Sequence, residues 1–481
     1  MEQTYNRAKP WQLLFFVFNN TASNIYLSLM GFVNLYAGNV AGMAVILVSN
    51  IMMAARFWDG VTDPIVGFIV DKTNGKLGKF RPFMLVGNLI MLTSVILMFT
   101  TTHRMPEGPV RVIYWTAIYM IYIIGYTFQN AATRGGQSVL TNDPKQRPMF
   151  ARIDSIINAL LFTAMTMYIT DTLVSKYNGF TAELFREVIF TFGPLSLGLT
   201  ILAMIGIWEK DQPANYAKLG AQSSYGFKDI FRIIKNNRAI QMLVVAASTD
   251  KLAAQVRMNS VVGIMLYGIV IGNYKMLSRM SMITLIPGII MIILGTGVAA
   301  RFSSKKATVI FTWSSIITSL LMAALLIFGD PTQISLENMG FMTIAFILLY
   351  ILVQGFSSIN VGLATPMIAD CADYELYRSG NYAPALMGTV FGFFDKVVSS
   401  FASTLVGWCC VMIGFADRFP SQEDPLTSGL FWATLFLFIG IPILGWVCSL
   451  VAMKFYPLDQ DKMIEVQAKI AGMKQENAAQ K

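Results

Sequence analysis

Apolar stretches of about 20 residues, each long enough to cross ~30 Å of hydrocarbon, recur along the chain between short polar breaks. Reading the runs between breaks predicts twelve helices, near residues 11–37, 42–70, 82–102, 112–140, 151–175, 187–208, 239–270, 276–300, 307–328, 341–365, 384–413 and 429–453. An even number of crossings puts both termini on one side. The longest polar segment between spans separates the sixth from the seventh. It divides the chain into an N-terminal six-helix bundle (1–208), a central loop (209–238), a C-terminal six-helix bundle (239–453) and a tail (454–481).

Composition agrees with this pattern. Of 481 residues 55% are hydrophobic and 13% charged, with mean hydropathy +0.57, whereas soluble domains average roughly 25% charged. The formal charge of +9 would suit a nucleic-acid partner, but the basic residues fall in alternate loops. Arg7 and Lys9, Lys72 to Arg81, Lys145 and Arg147, the central group, then Arg301, Lys305 and Lys306 share one side. By the positive-inside rule that side is the cytoplasm, with both termini in it, and no nucleic-acid partner is implied. A multi-pass protein of the cell (inner) membrane follows, with the lipid bilayer as its solvent.

Enzyme chemistry finds little support. Cys371, Cys409, Cys410 and Cys448 lie in or beside apolar spans without metal-ligand spacing, and are expected to be reduced packing residues. The single histidine, His103, sits in a short loop, which argues against a metal site or a Ser-His-Asp centre. The opening MEQTYNRAKPWQLLFF runs directly into a span with no small-residue cleavage site, so no removable signal is expected. No cofactor is expected either.

The informative residues are charges inside spans. Each costs on the order of 2.5–3.5 kcal/mol at the bilayer centre, so such residues default to functional candidates. Span two contains ARFWDGVTDPIVG, in which Arg56, Asp59 and Asp63 are spaced three and four apart and share one helix face, with Thr62 beside them. Two carboxylates and a hydroxyl suit Na⁺, and either carboxylate could instead carry a proton. One arginine cannot neutralise two carboxylates, which argues against a closed structural ion pair. Lys396 in span eleven needs a partner, for which the span-two acids are natural candidates. Its neighbour Asp395 lies about 100° round the helix. Arg134 in span four should face a cavity, a ligand or a carboxylate. Asp250, Lys251 and Arg257 line the cavity of span seven, or else that helix begins later.

Two six-helix halves about a central site are the layout of major-facilitator transporters, which work by alternating access. A weak internal echo fits duplication: GFIVDKTNGKLGKFRP after span two and GVAARFSSKK after span eight each place a glycine before a basic cluster. In WDGVTDPIVGFIVDKT with GKFRPF, and in ADCADYELY followed by Lys396, the chain resembles the glycoside–pentoside–hexuronide:cation symporter family over nearly its whole length. That resemblance implies cation-site roles for Asp59, Asp63, Thr62 and Thr127. It implies substrate-binding roles for Tyr126, Asn130, Arg134, Arg152, Lys396 and Asn24, and gating roles for Arg56, Asp370, Asp373 and Arg378.

Departures from the family pattern matter too. Asn130 stands where the family has an essential acid, a second acid near Ser23–Asn24 is absent, and Arg134 replaces an aromatic. The expected pocket loses two negative charges and gains a positive one, which brings a hexuronide into the range of substrates. Arg134 either reads a negative group on the substrate or pairs with Asp154 or Asp171.

The expectation is therefore a functional monomer importing a sugar or glycoside with Na⁺ or H⁺. The alternative is an intramembrane Mg²⁺-dependent prenyltransferase-like enzyme. It would use Asp59-x-x-x-Asp63 and Asp370-x-x-Asp373, although these clusters lack a fuller aspartate-rich motif. The tail is expected to be a solvated helix or a disordered end.

Overall fold

The computed structural model describes residues 7–73, 75–141, 146–212, 237–379 and 384–479. Lys145 and residues 213–236 of the central segment lie outside them.

The protein is an all-α membrane protein. The main described helices are α1 (Pro10–Met30), α2 (Val45–Lys72), α3 (Arg81–Thr101), α4 (Pro109–Leu140), α5 (Gln146–Met167) and α6 (Ala182–Ile207), then α7 (Arg238–Arg257), α8 (Met276–Phe302), α9 (Ser304–Phe328), α10 (Phe341–Ser379), α11 (Pro384–Met412) and α12 (Ile441–Phe455), the last part of a span that begins at Ser428. A further helix, α13 (Gln460–Ala479), ends the chain. Helix starts follow local chemistry. Prolines open α1, α3 and α4, where the missing N–H costs nothing. Thr181 and Asn237 cap α6 and α7 by accepting from Leu184 N and Ile240 N.

Among the described residues ten helices are long and apolar enough to span, and the pair around a 49° bend at the end of α7 makes an eleventh. Set apart from these by Arg56, Asp59 and Asp63 is α2, whose 28 residues give it about 42 Å of length. The first and seventh spans both finish in a π-helical turn, Tyr36–Val40 and Ile264–Val270. A buried tyrosine preceded by leucine marks each, Leu35-Tyr36 where the first turn begins and Leu266-Tyr267 within the second.

Two expectations need correction. The helix of span ten does not stop near 365 but continues through Pro366 to Ser379. Asp370, Asp373 and Arg378 therefore lie on a helix, not in a loop. The tail is not merely solvated, since Val466 and Ile470 of α13 are buried and the helix packs on α10.

The chain divides into two compact units. One comprises Met1–Ala221, Leu277–Ser281 and Cys410–Ser421, and the other Gln222–Met276, Met282–Cys409 and Gln422–Lys481. In the first, α1 packs on α6, α5 and α4, while α4 also packs on α3 and α2. Lipid is as apolar as leucine, so such contacts rely on close approach and polar bonds. A Cβ on Gly87 would come within 2.8 Å of the Gly125 carbonyl, so the α3–α4 crossing needs glycine. Asn88 donates to Ser196 (2.8 Å) and Thr200 (2.9 Å), tying α3 to α6. In the second unit α7 packs on α12 and α10, and α9 on α10 and α12.

Candidate transport site

Within the first unit, the helical period of α2 turns Asp59 and Thr62 inward, leaves Asp63 half-buried and exposes Arg56. The neighbouring α4 meets this face. Thr127 Oγ1 donates to Asp59 Oδ1 at 3.3 Å and to the Ile123 carbonyl at 3.0 Å, and Thr62 Oγ1 donates to the Asp59 carbonyl at 3.1 Å. When the Thr127 hydroxyl proton goes to the Ile123 carbonyl, its oxygen lone pairs remain beside the Asp59 carboxylate. Two of the four expected cation ligands, Asp59 and Thr127, are thus brought together from two helices, with Thr62 buried one turn along α2. Asp63 follows one turn along α2.

Above them α4 carries an aromatic ladder. Trp115 lies 5.4 Å from Tyr119, Tyr119 lies 6.2 Å from Tyr122, and Tyr122 lies 6.5 Å from Tyr126 with nearly parallel rings. Of these four rings Tyr126 alone was expected at the site. The i, i+4, i+7, i+11 spacing of Trp115, Tyr119, Tyr122 and Tyr126 was the available signal. Asn130 and Arg134 extend the ladder at four-residue steps, with Asn130 half-buried and Arg134 exposed.

The acids expected as structural partners of Arg134 are engaged elsewhere. Asp171 accepts from Ser278 Oγ (2.5 Å) and Thr170 Oγ1 (3.1 Å). Asp154 accepts from Asn20 Nδ2, at 2.9 Å to Oδ1 and 3.0 Å to Oδ2, and from Asn158 Nδ2 at 2.9 Å. Asn24 Nδ2 in turn donates to Asn158 Oδ1 at 2.9 Å. Arg152 is exposed and lies about 200° round α5 from Asp154, off this face.

In the second unit, Asp395 on α11 pairs with Lys251 on α7, a partner that sequence analysis did not assign. Lys396 is half-buried one position on. Asp250 is buried and accepts from Ser449 Oγ at 3.1 Å, while Arg257 Nη2 donates to Gln354 Oε1 at 2.5 Å. Both lie within α7, which begins at Arg238.

The residues assigned to gating in this unit have local partners. Arg378 pairs with Glu375 at 3.2 Å, one turn back, and Glu375 also accepts from Asn237 Nδ2 at 2.9 Å. Asp373 accepts from Gln467 Nε2 of α13 at 2.7 Å. Tyr377 donates to Glu465 at 2.5 Å, and Lys462 and Lys469 sit over its ring. Hydrogen bonds from Lys462 and then Tyr377 hold the Glu465 carboxyl below the usual carboxylate range. Asp370 borders a cavity of about 430 Å³ with Lys305, Tyr456 and Gln467.

Arg81, the last of the basic cluster after span two, is buried against Asp211 within the first unit. That guanidinium is committed to holding the start of α3.

The profile of the family described as MFS/sugar transport protein matches residues 13–460. An uncharacterized symporter, YnaJ, of Bacillus subtilis (strain 168) is 22% identical over 456 residues, covering 91% of this chain and 89% of that one. A putative glycoside/cation symporter, YagG, of Escherichia coli (strain K12) is 21% identical over 429 residues, covering 87% and 85%. Among solved structures, the nucleoside transporter NupG superposes with a TM-score of 0.64 at 12% identity, covering 94% of this chain and 100% of that one. At that identity the likeness establishes the fold alone.

Proposed function

The chain belongs to the MFS/sugar transport protein family, and we propose that it is a secondary active symporter that imports a sugar or glycoside with Na⁺ or H⁺ by alternating access. Family membership also makes it a transporter and not an enzyme, so the prenyltransferase alternative falls away. The observation that carries the proposal is the buried Asp59 carboxylate met from a second helix by Thr127 at 3.3 Å.

In this reading Asp59 and Asp63 supply negative charge to the coupling ion, and the lone pairs of Thr62 and Thr127 complete an oxygen cage. Arg56 holds the acids in the ion-free state. Tyr126, Asn130, Lys396 and Asn24 contact the sugar, whereas Arg152, turned about 200° from the Asp154 face of α5, is left out of that set. Asp370, Asp373 and Arg378 govern closure on the cytoplasmic side, where both termini lie, and a single chain is the working unit.

A second, finer reading is that the substrate carries a carboxylate, as a hexuronide does. It is favoured by the exposed Arg134, whose two candidate structural acids are both bound to other residues. A planar guanidinium on a transmembrane face is suited to bidentate recognition of a carboxylate.

The test is the double variant Asp59→Asn, Asp63→Asn in membrane vesicles. Accumulation against a gradient is expected to vanish while exchange of labelled for unlabelled sugar persists. Full concentrative uptake by the double variant would refute the coupling role.

A further inference from the structure

Asp154 is a carboxylate of the first unit to which the proposal above gives no role. Asp154 lies in the membrane-spanning stretch Arg152–Tyr177 and is half-buried. Its partners on the facing sides of α1 and α5 are neutral amides. Asn20 bridges both carboxylate oxygens, and Asn158 donates to Oδ1 at 2.9 Å and to the Asp154 carbonyl at 2.8 Å. Asn24 holds Asn158 in turn. Asn20 and Asn24 are one helical turn apart, as are Asp154 and Asn158. The four side chains therefore form two rungs about 6 Å apart along the helices, a distance comparable to the width of a pyranose ring.

The charge at this position needs a reason. Neutral amides orient a carboxylate but do not cancel it, and a half-buried charge near the start of a span still carries part of the cost of leaving water. An asparagine at 154 would complete an all-amide ladder between α1 and α5 without that cost. An ionised carboxylate offers about four acceptor positions. The amides here occupy two on Oδ1 and one on Oδ2, leaving acceptor capacity on Oδ2. What the carboxylate adds over an amide is a second acceptor oxygen and charge-assisted strength toward hydroxyl donors.

We propose that Asp154, oriented between α1 and α5 by Asn20 and Asn158, accepts hydrogen bonds from hydroxyl groups of the transported sugar. The Asn20–Asp154–Asn158–Asn24 ladder is then a polyol-reading subsite, separate from the cation cage on α2 and α4. This rests on the symporter reading and adds the residue that selects the hydroxyl pattern.

The experiment uses the full chain in proteoliposomes. The probes are methyl β-D-glucoside, methyl β-D-glucuronide and their 2-deoxy and 3-deoxy counterparts. For whichever parent sugar the wild type accumulates, Asp154→Asn is expected to raise the half-saturation about tenfold or more. The half-saturation for the coupling ion should stay unchanged. For the deoxy sugar lacking the recognised hydroxyl, wild type and variant should become alike.

Equal losses for parent and deoxy sugars would overturn the proposal, because they mean a structural role. A shifted ion dependence would overturn it in favour of a coupling role. Should Asp154→Asn fail to reach the membrane, Asn20→Ser must give the same hydroxyl-dependent pattern at smaller amplitude, and its absence counts against the proposal. If the wild type accumulates no probe, the symporter reading falls and this proposal with it. If the wild type accumulates sugar and Asp154→Asn matches it, only this proposal falls.

Discussion

Replacing Asp211 by alanine is expected to be among the most destabilising single changes outside the spans. The Asp211 carboxylate accepts three backbone N–H bonds at the start of α3, from Lys79 (2.8 Å), Phe80 (3.0 Å) and Arg81 (3.0 Å). It also meets Arg81 Nε at 3.4 Å, while Arg81 Nη2 donates to the Asp211 carbonyl at 2.8 Å. The Arg81 guanidinium stacks on Trp208 at 4.3 Å, and the two charged side chains are 2% and 0% exposed. Gly78 allows this approach, because its φ of +87° suits glycine and a Cβ there would collide with Asp211.

Removing one member of a buried pair costs about 3–5 kcal/mol. In Asp211→Ala the charge lost was also the acceptor of three N–H groups at a helix N-terminus, so the cost belongs at the upper end. Arg81→Met leaves Asp211 bound to those three donors and should cost about 1–3 kcal/mol. Unfolding midpoints of the detergent-solubilised protein, followed by tryptophan fluorescence, measure both. The ordering is the test: Arg81→Met proving as harmful as Asp211→Ala would refute the capping argument.

Three other outcomes are expected. Arg134→Gln should raise the half-saturation for a hexuronide about tenfold to a hundredfold and that for its neutral hexoside far less; equal losses in an uptake assay would exclude carboxylate recognition. Lys251→Met and Asp395→Leu should each destabilise by about 1–3 kcal/mol, discounted because Lys251 is 35% exposed. The double variant should be less damaged than the sum, and strict additivity in thermal unfolding would mean that the pair contributes nothing. Asp373→Asn should raise labelling of cysteines introduced on the cytoplasmic side, and Gln467→Ala should reproduce it because Gln467 is the partner of Asp373; unchanged labelling would mean that these groups are only solvated.

Much of the fold was legible because transmembrane apolar runs are long and their breaks polar. The charges of α2 were conspicuous for the same reason, since Arg56, Asp59 and Asp63 interrupt an otherwise apolar helix. Long-range polar pairs were not legible. Nothing local links Asp211 to residues 79–81, and Arg81 looked like one more basic loop residue. The extension of α10 was hidden by Pro366, which ordinarily signals a helix end, although Glu375 and Arg378 at i, i+3 marked its continuation. Asp154 was weighed only as a counter-charge for Arg134, because sequence spacing cannot show that asparagines on another helix already hold it.

The most direct test of the central claim is uptake by the purified protein in proteoliposomes. Labelled neutral and acidic glycosides would be offered under an imposed Na⁺ gradient, an imposed H⁺ gradient, or none. At least one glycoside should accumulate above its external concentration under one of the two ion gradients, and an ionophore that collapses that gradient should abolish the accumulation. Equilibration to the external concentration regardless of either gradient would contradict cation-coupled symport.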